Sequence, residues 1–178
     1  MADDYGEIEF YGSRQRALFP IEGIRVSRSM AKVIRRGDFE ITFDQDFRGV
    51  IAGCADRPEG SWINHEIRRA FAEVHELGWA HSCEAWREGE LAGGVYGVAL
   101  GGFFGAESMF HRQTNASKAA LHALIQECRR QGFLVFDAQI MNPHLASLGA
   151  FEVSTRRFDQ MLAQALRVKT RWGLDLSE

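Results

Sequence analysis

The sequence predicts an α+β fold in layers, with a mixed sheet flanked by helices, on three observations. Ala120, Leu121, Leu124, Ile125 and Cys128 recur at the i, i+3, i+4 spacing of one helical face. Residues 133–136 follow as an apolar run too short for a helix and bounded by Gly132, which reads as a buried strand. Residues 81–86 and 91–100 are two apolar runs joined by Arg87-Glu88-Gly89-Glu90, which reads as a hairpin.

The remaining elements follow in chain order. Residues 1–24 read as irregular, with Phe10 and Tyr11 ahead of Arg14, Arg16 and Pro20. Residues 27–36 read as a short basic amphipathic helix. Arg28, Lys32, Arg35 and Arg36 share one face, Met30, Val33 and Ile34 another, and Gly37 supplies a C-cap. A solvated charged face is the plainer account of those cations. Residues 39–43 alternate like a half-buried strand; Phe47, Val50, Ile51 and Cys54 return to helical spacing. A second helix buries Ile67, Ala70, Phe71 and Val74 and ends at Gly78. Gly93, Gly94 and Gly97 thin the second hairpin strand, as at a bulge or a close backbone approach. The helix after residue 114 starts at Asn115 or Ser117 and closes at Gly132. Residues 142–148 form a short helix or turn, and Phe158, Met161, Leu162 and Leu166 a last helical stripe. This order suits a layered fold on a mixed sheet.

The 178 residues suit one domain with at most a small appendage, and an apolar fraction of 46% can supply a core. No run of about 18 apolar residues exists, so no membrane span is expected. The acidic start MADDYGEIEF lacks a signal region, so a cytoplasmic protein is expected. Three cysteines without CxxC spacing favour neither disulfides nor zinc. At a net charge of −3, nucleic acid must be met by a local basic patch.

Residues 105–139 hold the candidate chemistry. Glu107 and Ser108 stand beside Met109 and Phe110, and the later strand ends in Asp137 and Gln139, which strand alternation puts on one face. An acid and an amide together at a buried strand end suit a site; a turn cap at Asp137 with a solvated Gln139 explains them equally well. Other chemistries fit less well. His75-Glu76 and His81 lack HExxH spacing and fall on different elements, so no metal site is expected. Ser108 is in no G-x-S-x-G elbow, and Gly93-Gly94 with Gly97 lies within a strand rather than a phosphate loop.

The blocks GAESMFHRQTNASKAAL, FDAQ and HLASLGA resemble the signature blocks of the leucyl/phenylalanyl-tRNA–protein transferases, and the resemblance runs in order from about Val26 to Phe158. It implies an acyl-CoA N-acyltransferase-like fold. It also implies aminoacyl transfer of Leu or Phe, with Met as a further candidate, from aminoacyl-tRNA to proteins that begin with Arg or Lys, marking them for degradation. No cofactor is implied, and a monomer is expected. By the same resemblance Asp137 orients the attacking amine or takes its proton, Gln139 aligns amine and ester, and Glu107 meets the aminoacyl-adenosine end, although here Ala106 stands between the glycine and the acid. Val95, Met109, Leu121, Leu124, Cys128 and Phe136 correspond to the amino-acid pocket, several of them also core by periodicity. Trp62 corresponds to the adenine-stacking residue, with Tyr11 in place of a second tryptophan. Arg28, Lys32, Arg35 and Arg36 become phosphate contacts that position tRNA without reading its sequence. The resemblance divides the chain into a short N-terminal segment, 1–37, carrying the basic helix, and a catalytic domain, 38–178. Two alternatives share the fold. An acetyl-CoA-dependent acyltransferase needs a glycine-rich pyrophosphate loop that is absent before Asn115, and a non-catalytic module would bind tRNA or N-termini without transfer.

Overall fold

The computed structural model describes residues 14–58 and 60–173. In chain order the elements are β1 (Gln15–Phe19), α1 (Arg28–Arg36), β2 (Glu40–Phe43), α2 (Phe47–Ala55), α3 (His65–Glu76), β3 (Ala80–Arg87), β4 (Glu90–Leu100), β5 (Phe103–His111), α4 (Ala116–Gln131), β6 (Val135–Gln139), α5 (Pro143–Ser147), β7 (Phe151–Ser154) and α6 (Thr155–Ala165). The strands form one sheet in the order β2-β3-β4-β5-β6-β1-β7. Every neighbouring pair is antiparallel except β5 and β6, which run parallel because α4 carries the chain back between them. This is the layered α+β arrangement with a mixed sheet that the sequence predicts.

Local chemistry fixes the ends of the elements. Ser27 Oγ accepts from the Met30 N–H, and Gly37 (φ 65°) ends α1 in the left-handed conformation a glycine adopts without strain. The β3–β4 turn is Glu88-Gly89, with φ positive at both (54° and 79°), the twist-matched two-residue hairpin turn. Val95 and Tyr96 point to opposite sheet faces. Val95 packs in the cluster under α4 with Leu124, Ile125, Cys128 and Phe136; Tyr96 packs under α2 and α3 with Val50, Ile51 and Ile67.

Some expectations are corrected. Residues 15–19 are a strand rather than irregular chain, and β5 and β7 are strands beyond those the sequence predicts. Asn115 starts α4 but is itself left-handed (φ 74°) and makes no side-chain cap; Ser117 is buried inside the helix. Ala70 is exposed and Ala72 is buried, so the contact face of α3 keeps Ile67, Phe71 and Val74 and extends on the side of Ala72 rather than of Ala70. Ile34 is 39% exposed, so only Met30 and Val33 hold α1 down. Strand β6 begins at Val135, since Leu134 points outward. Among the described residues, no helix is long and apolar enough to cross a membrane.

Candidate active site

Two bulges and a parting of strands build the site. β5 and β6 pair through Phe103↔Val135, Phe104↔Phe136 and Gly105↔Asp137, and the pairing stops there. At that level β4 meets β5 with a shift: Tyr96 faces Ser108 and Gly97 faces Ala106, which leaves Glu107 as the extra residue. β1 meets β6 with a second shift: Ala17 faces Gln139 and Leu18 faces Asp137, which leaves Ala138 extra. A bulge turns a strand and re-aims side chains. Gly97 allows the close approach here, for any side chain on it would strike the Gly105 carbonyl oxygen and the Phe104 ring.

A cavity of about 750 Å³ opens where the strands part. Glu107 and Gln139 supply its polar floor, Val95, Met109 and Leu121 its apolar wall, and Trp62 one side. Arg57, His111, Arg112 and His144 stand on its rim. Gln139 Nε2 donates to Glu107 Oε2 and to the Ala106 carbonyl oxygen, both at 3.0 Å, bridging the parted strands. Glu107 titrates above the ordinary carboxylate range, chiefly because burial disfavours its charge. The Gln139 hydrogen bond pulls it down, Asp137 pushes it up, and Arg16 pulls it down.

Gln139 does not lie beside Asp137 by strand alternation. Its φ is +66°, outside the strand region, and its backbone N–H folds back to donate to Asp137 Oδ1 at 2.9 Å. This is an Asx-type turn. Asp137 is fully buried, and its Oδ2 is ion-paired with Arg16 of β1. It therefore stands behind the cavity floor rather than on it.

The structure brings Glu107, Gln139, Trp62, Val95, Met109 and Leu121 to one cavity. Leu124, Cys128 and Phe136 lie in the core behind that wall; Phe136 stacks on Phe104 at 5.2 Å between ring centres. Tyr11 lies outside the described residues. Arg28, Lys32, Arg35 and Arg36 are exposed on α1, which packs through Met30 and Val33 on Ala119 of α4; Arg36 pairs with Asp38 at 2.6 Å. His75 and His81 fall on α3 and β3. His75 donates to the Ala80 carbonyl oxygen at 2.8 Å, and His81 bonds Asp44 at 2.7 Å. The cysteines are free and buried, and burial pushes the Cys54 thiol up to about 12.

Sequence reasoning missed two cations at the site. Arg16 reaches Asp137 from 121 residues away, and no local spacing signals such a pair. Arg57 donates to Ser108 Oγ at 3.1 Å and to the Met109 carbonyl oxygen at 3.3 Å, tying the rim to β5. Its only sequence signal is its place just beyond the C-terminus of α2.

The model of the leucyl/phenylalanyl-tRNA protein transferase family matches residues 18–163. A leucyl/phenylalanyl-tRNA–protein transferase of Ruegeria pomeroyi is 50% identical over 152 residues, which cover 85% of this chain and 72% of that protein. One of Rubrobacter xylanophilus is 47% identical over 169 residues, 94% of this chain and 88% of its own. One of Chlorobium luteolum is 48% identical over 169 residues, 93% of this chain and 87% of its own.

Proposed function

Because the chain belongs to the leucyl/phenylalanyl-tRNA protein transferase family, we propose that it moves leucine or phenylalanine from aminoacyl-tRNA onto the α-amine at the N-terminus of an acceptor protein. The observation that carries this reading is the Gln139–Glu107 pair facing a cavity with a wall of Val95, Met109 and Leu121.

The reaction asks little of side chains. The aminoacyl ester is already activated, and an α-amine of pKa about 7.7–8.0 is partly neutral near pH 7. The nitrogen lone pair attacks the ester carbonyl carbon, the bond to the ribose oxygen breaks, and the amine's proton ends on that oxygen. Proximity is the main contribution and is worth about 7–11 kcal/mol. Gln139 has both amide hydrogens committed, to Glu107 and Ala106, and its Oε1 accepts from the incoming amine. Glu107 accepts from the aminoacyl-adenosine end, whose base stacks on Trp62. The apolar wall takes Leu, Phe or Met and rejects charged aminoacyl groups, since an unpaired buried charge is costly. Asp137 acts through Gln139 rather than on the amine itself.

The acceptor begins with Arg or Lys, and the added residue marks it for degradation. Asp56 and Glu107 at the cavity offer that cation a negative surface. The basic face of α1 holds tRNA phosphates. The test is transfer of labelled leucine or phenylalanine from charged tRNA to peptides that start with Arg, Lys or Ala. Acid-stable label in the first two and not the third is expected; no transfer from either tRNA overturns the reading.

A further inference from the structure

We propose that Arg16 is a positioning residue of this site: held on β1, it binds Asp137 and thereby fixes the turn that aims the Gln139 amide at Glu107. The proposal rests on the transfer reading above for its kinetic consequence, though not for its structural one.

Asp137 is fully buried, and Arg16 is the one cation paired with it among the described residues. Its other oxygen receives the Gln139 N–H. A buried carboxylate needs such a partner, and one left alone must recruit other donors or lose its charge. Gln139 is a non-glycine residue with φ +66°, an unfavourable conformation that persists only when its surroundings over-determine it. Here the surroundings are the Asp137 carboxylate on one side and the Ala138 bulge against Ala17 and Leu18 on the other.

Arg16 itself is well placed to act as an anchor. Its strand is laddered on both sides, with Arg16 opposite Val153 of β7 and Ala17 opposite Gln139 of β6. Its guanidinium carbon lies 5.0 Å from the centre of the Phe158 ring on α6, and its Nε is buried without a partner among the described residues. The guanidinium is thus seated in protein on a ring face, and its charge is spent on Asp137. Hydrogen bonds join four residues in series, Arg16–Asp137–Gln139–Glu107, with Asp137 held to the Gln139 backbone N–H and the Gln139 side chain held to Glu107 on the cavity floor. Arg16 also offsets the upward push that Asp137 exerts on Glu107.

The experiment uses the full chain with Arg16→Met and Arg16→Lys. Transfer from leucyl-tRNA to an Arg-starting peptide is followed at fixed pH. In Arg16→Met, kcat falls about a hundredfold, the loss expected from a misplacement of about 1 Å, while KM for leucyl-tRNA stays within about threefold. Arg16→Lys restores part of kcat. Independently of turnover, the Gln139 side-chain NH₂ signals, assigned by their loss in Gln139→Ala, exchange slowly in the wild type and take exposed-amide positions in Arg16→Met. Wild-type kcat in folded Arg16→Met, or unmoved NH₂ signals, overturns the proposal. If Arg16→Met does not fold, the Arg16→Met/Asp137→Asn pair, which buries no lone charge, replaces it and is judged by kcat and the NH₂ signals. A wild type that transfers nothing would refute the transfer reading, and the NH₂ signals would still decide the role of Arg16.

Discussion

The Gln139 side-chain amide donates to Glu107 Oε2 and to the Ala106 carbonyl oxygen at the same distance, 3.0 Å, and so ties together two strands that have just stopped pairing. Replacing Gln139 by Ala removes the bridge and the Oε1 acceptor proposed for the amine. A fall in kcat of about a hundredfold is expected, with a small change in KM for aminoacyl-tRNA. Single-turnover transfer measures this directly, and wild-type rates would remove Gln139 from the reaction.

Glu107 also links pH to stability. Its carboxyl is held above its ordinary value of 4.5, mainly by burial. Well below 4.5 both the folded and unfolded chains keep the proton, and Glu107 exerts no pH effect. As pH rises past 4.5 the unfolded chain ionises first, so stability is lost until the folded carboxyl ionises too. Glu107→Gln does not titrate, so its stability relative to wild type should grow with pH across that window. Urea unfolding on either side of the window checks the sign; a relative stability that falls with pH would show that Glu107 is not raised.

These two residues also mark where the sequence could be read and where it could not. The helix stripe of α4, the capped basic helix α1 and the β3–β4 hairpin are local patterns and are legible as such. The blocks around Glu107 and Gln139 are visible as chemistry. Their geometry is not, because it depends on two bulges. The extra residue at Glu107 breaks the period-two pattern of β5, so no strand is read there. β1 has five residues and owes its state to β6 and β7, more than a hundred residues later. β7 is an edge strand whose Phe151 is 41% exposed, so it lacks a buried face to announce it. Strand alternation gave the right neighbours for Asp137 and Gln139 for the wrong reason: a left-handed residue and an Asx-type turn bring them together.

Trp62 is half-buried on the cavity side and packs against the α2–α3 cluster. As the stacking surface for adenine it contributes about 1–3 kcal/mol. Trp62→Ala should weaken binding of an aminoacyl-adenosine about 5- to 150-fold, and Trp62→Phe should recover most of that. Equilibrium binding of a non-hydrolysable aminoacyl-adenosine measures both. Equal affinity in a folded Trp62→Ala would leave Trp62 as packing alone.

Met109 and Phe136 separate pocket from core. Met109 lines the cavity and is partly buried, whereas Phe136 is 1% exposed and lies between Phe19 and Phe104. Met109→Ala enlarges the slot and should shift the preference between leucine and phenylalanine about tenfold or more, the scale set by a few methylenes in an apolar pocket. Phe136→Ala should instead cost about 3–5 kcal/mol of stability. Competition between the two charged tRNAs, together with urea unfolding of both variants, tells the roles apart. A specificity change in Phe136→Ala at wild-type stability would place that ring in the slot.

The α1 cations test how tRNA is held. Arg28, Lys32 and Arg35 are exposed, while Arg36 is engaged by Asp38 through two hydrogen bonds, from its Nε at 3.0 Å and from its guanidinium NH₂ at 2.6 Å. Phosphate contacts release counterions, so each one lost should lower the slope of log affinity against log salt by about 1. Neutralising Arg28, Lys32 or Arg35 should each do so, and Arg36 should do less because its charge is already shared. The loss should be alike for leucyl- and phenylalanyl-tRNA, since a phosphate contact carries no sequence information. Because α1 packs on Ala119 of α4 through Met30 and Val33 and none of its residues lines the cavity, transfer from a short aminoacyl-adenosine donor should fall less than transfer from whole tRNA. Salt titrations of tRNA binding decide the matter: slopes unchanged in all three variants would make this helix face a solvated surface and move the phosphate track to the Arg57 and Arg112 rim.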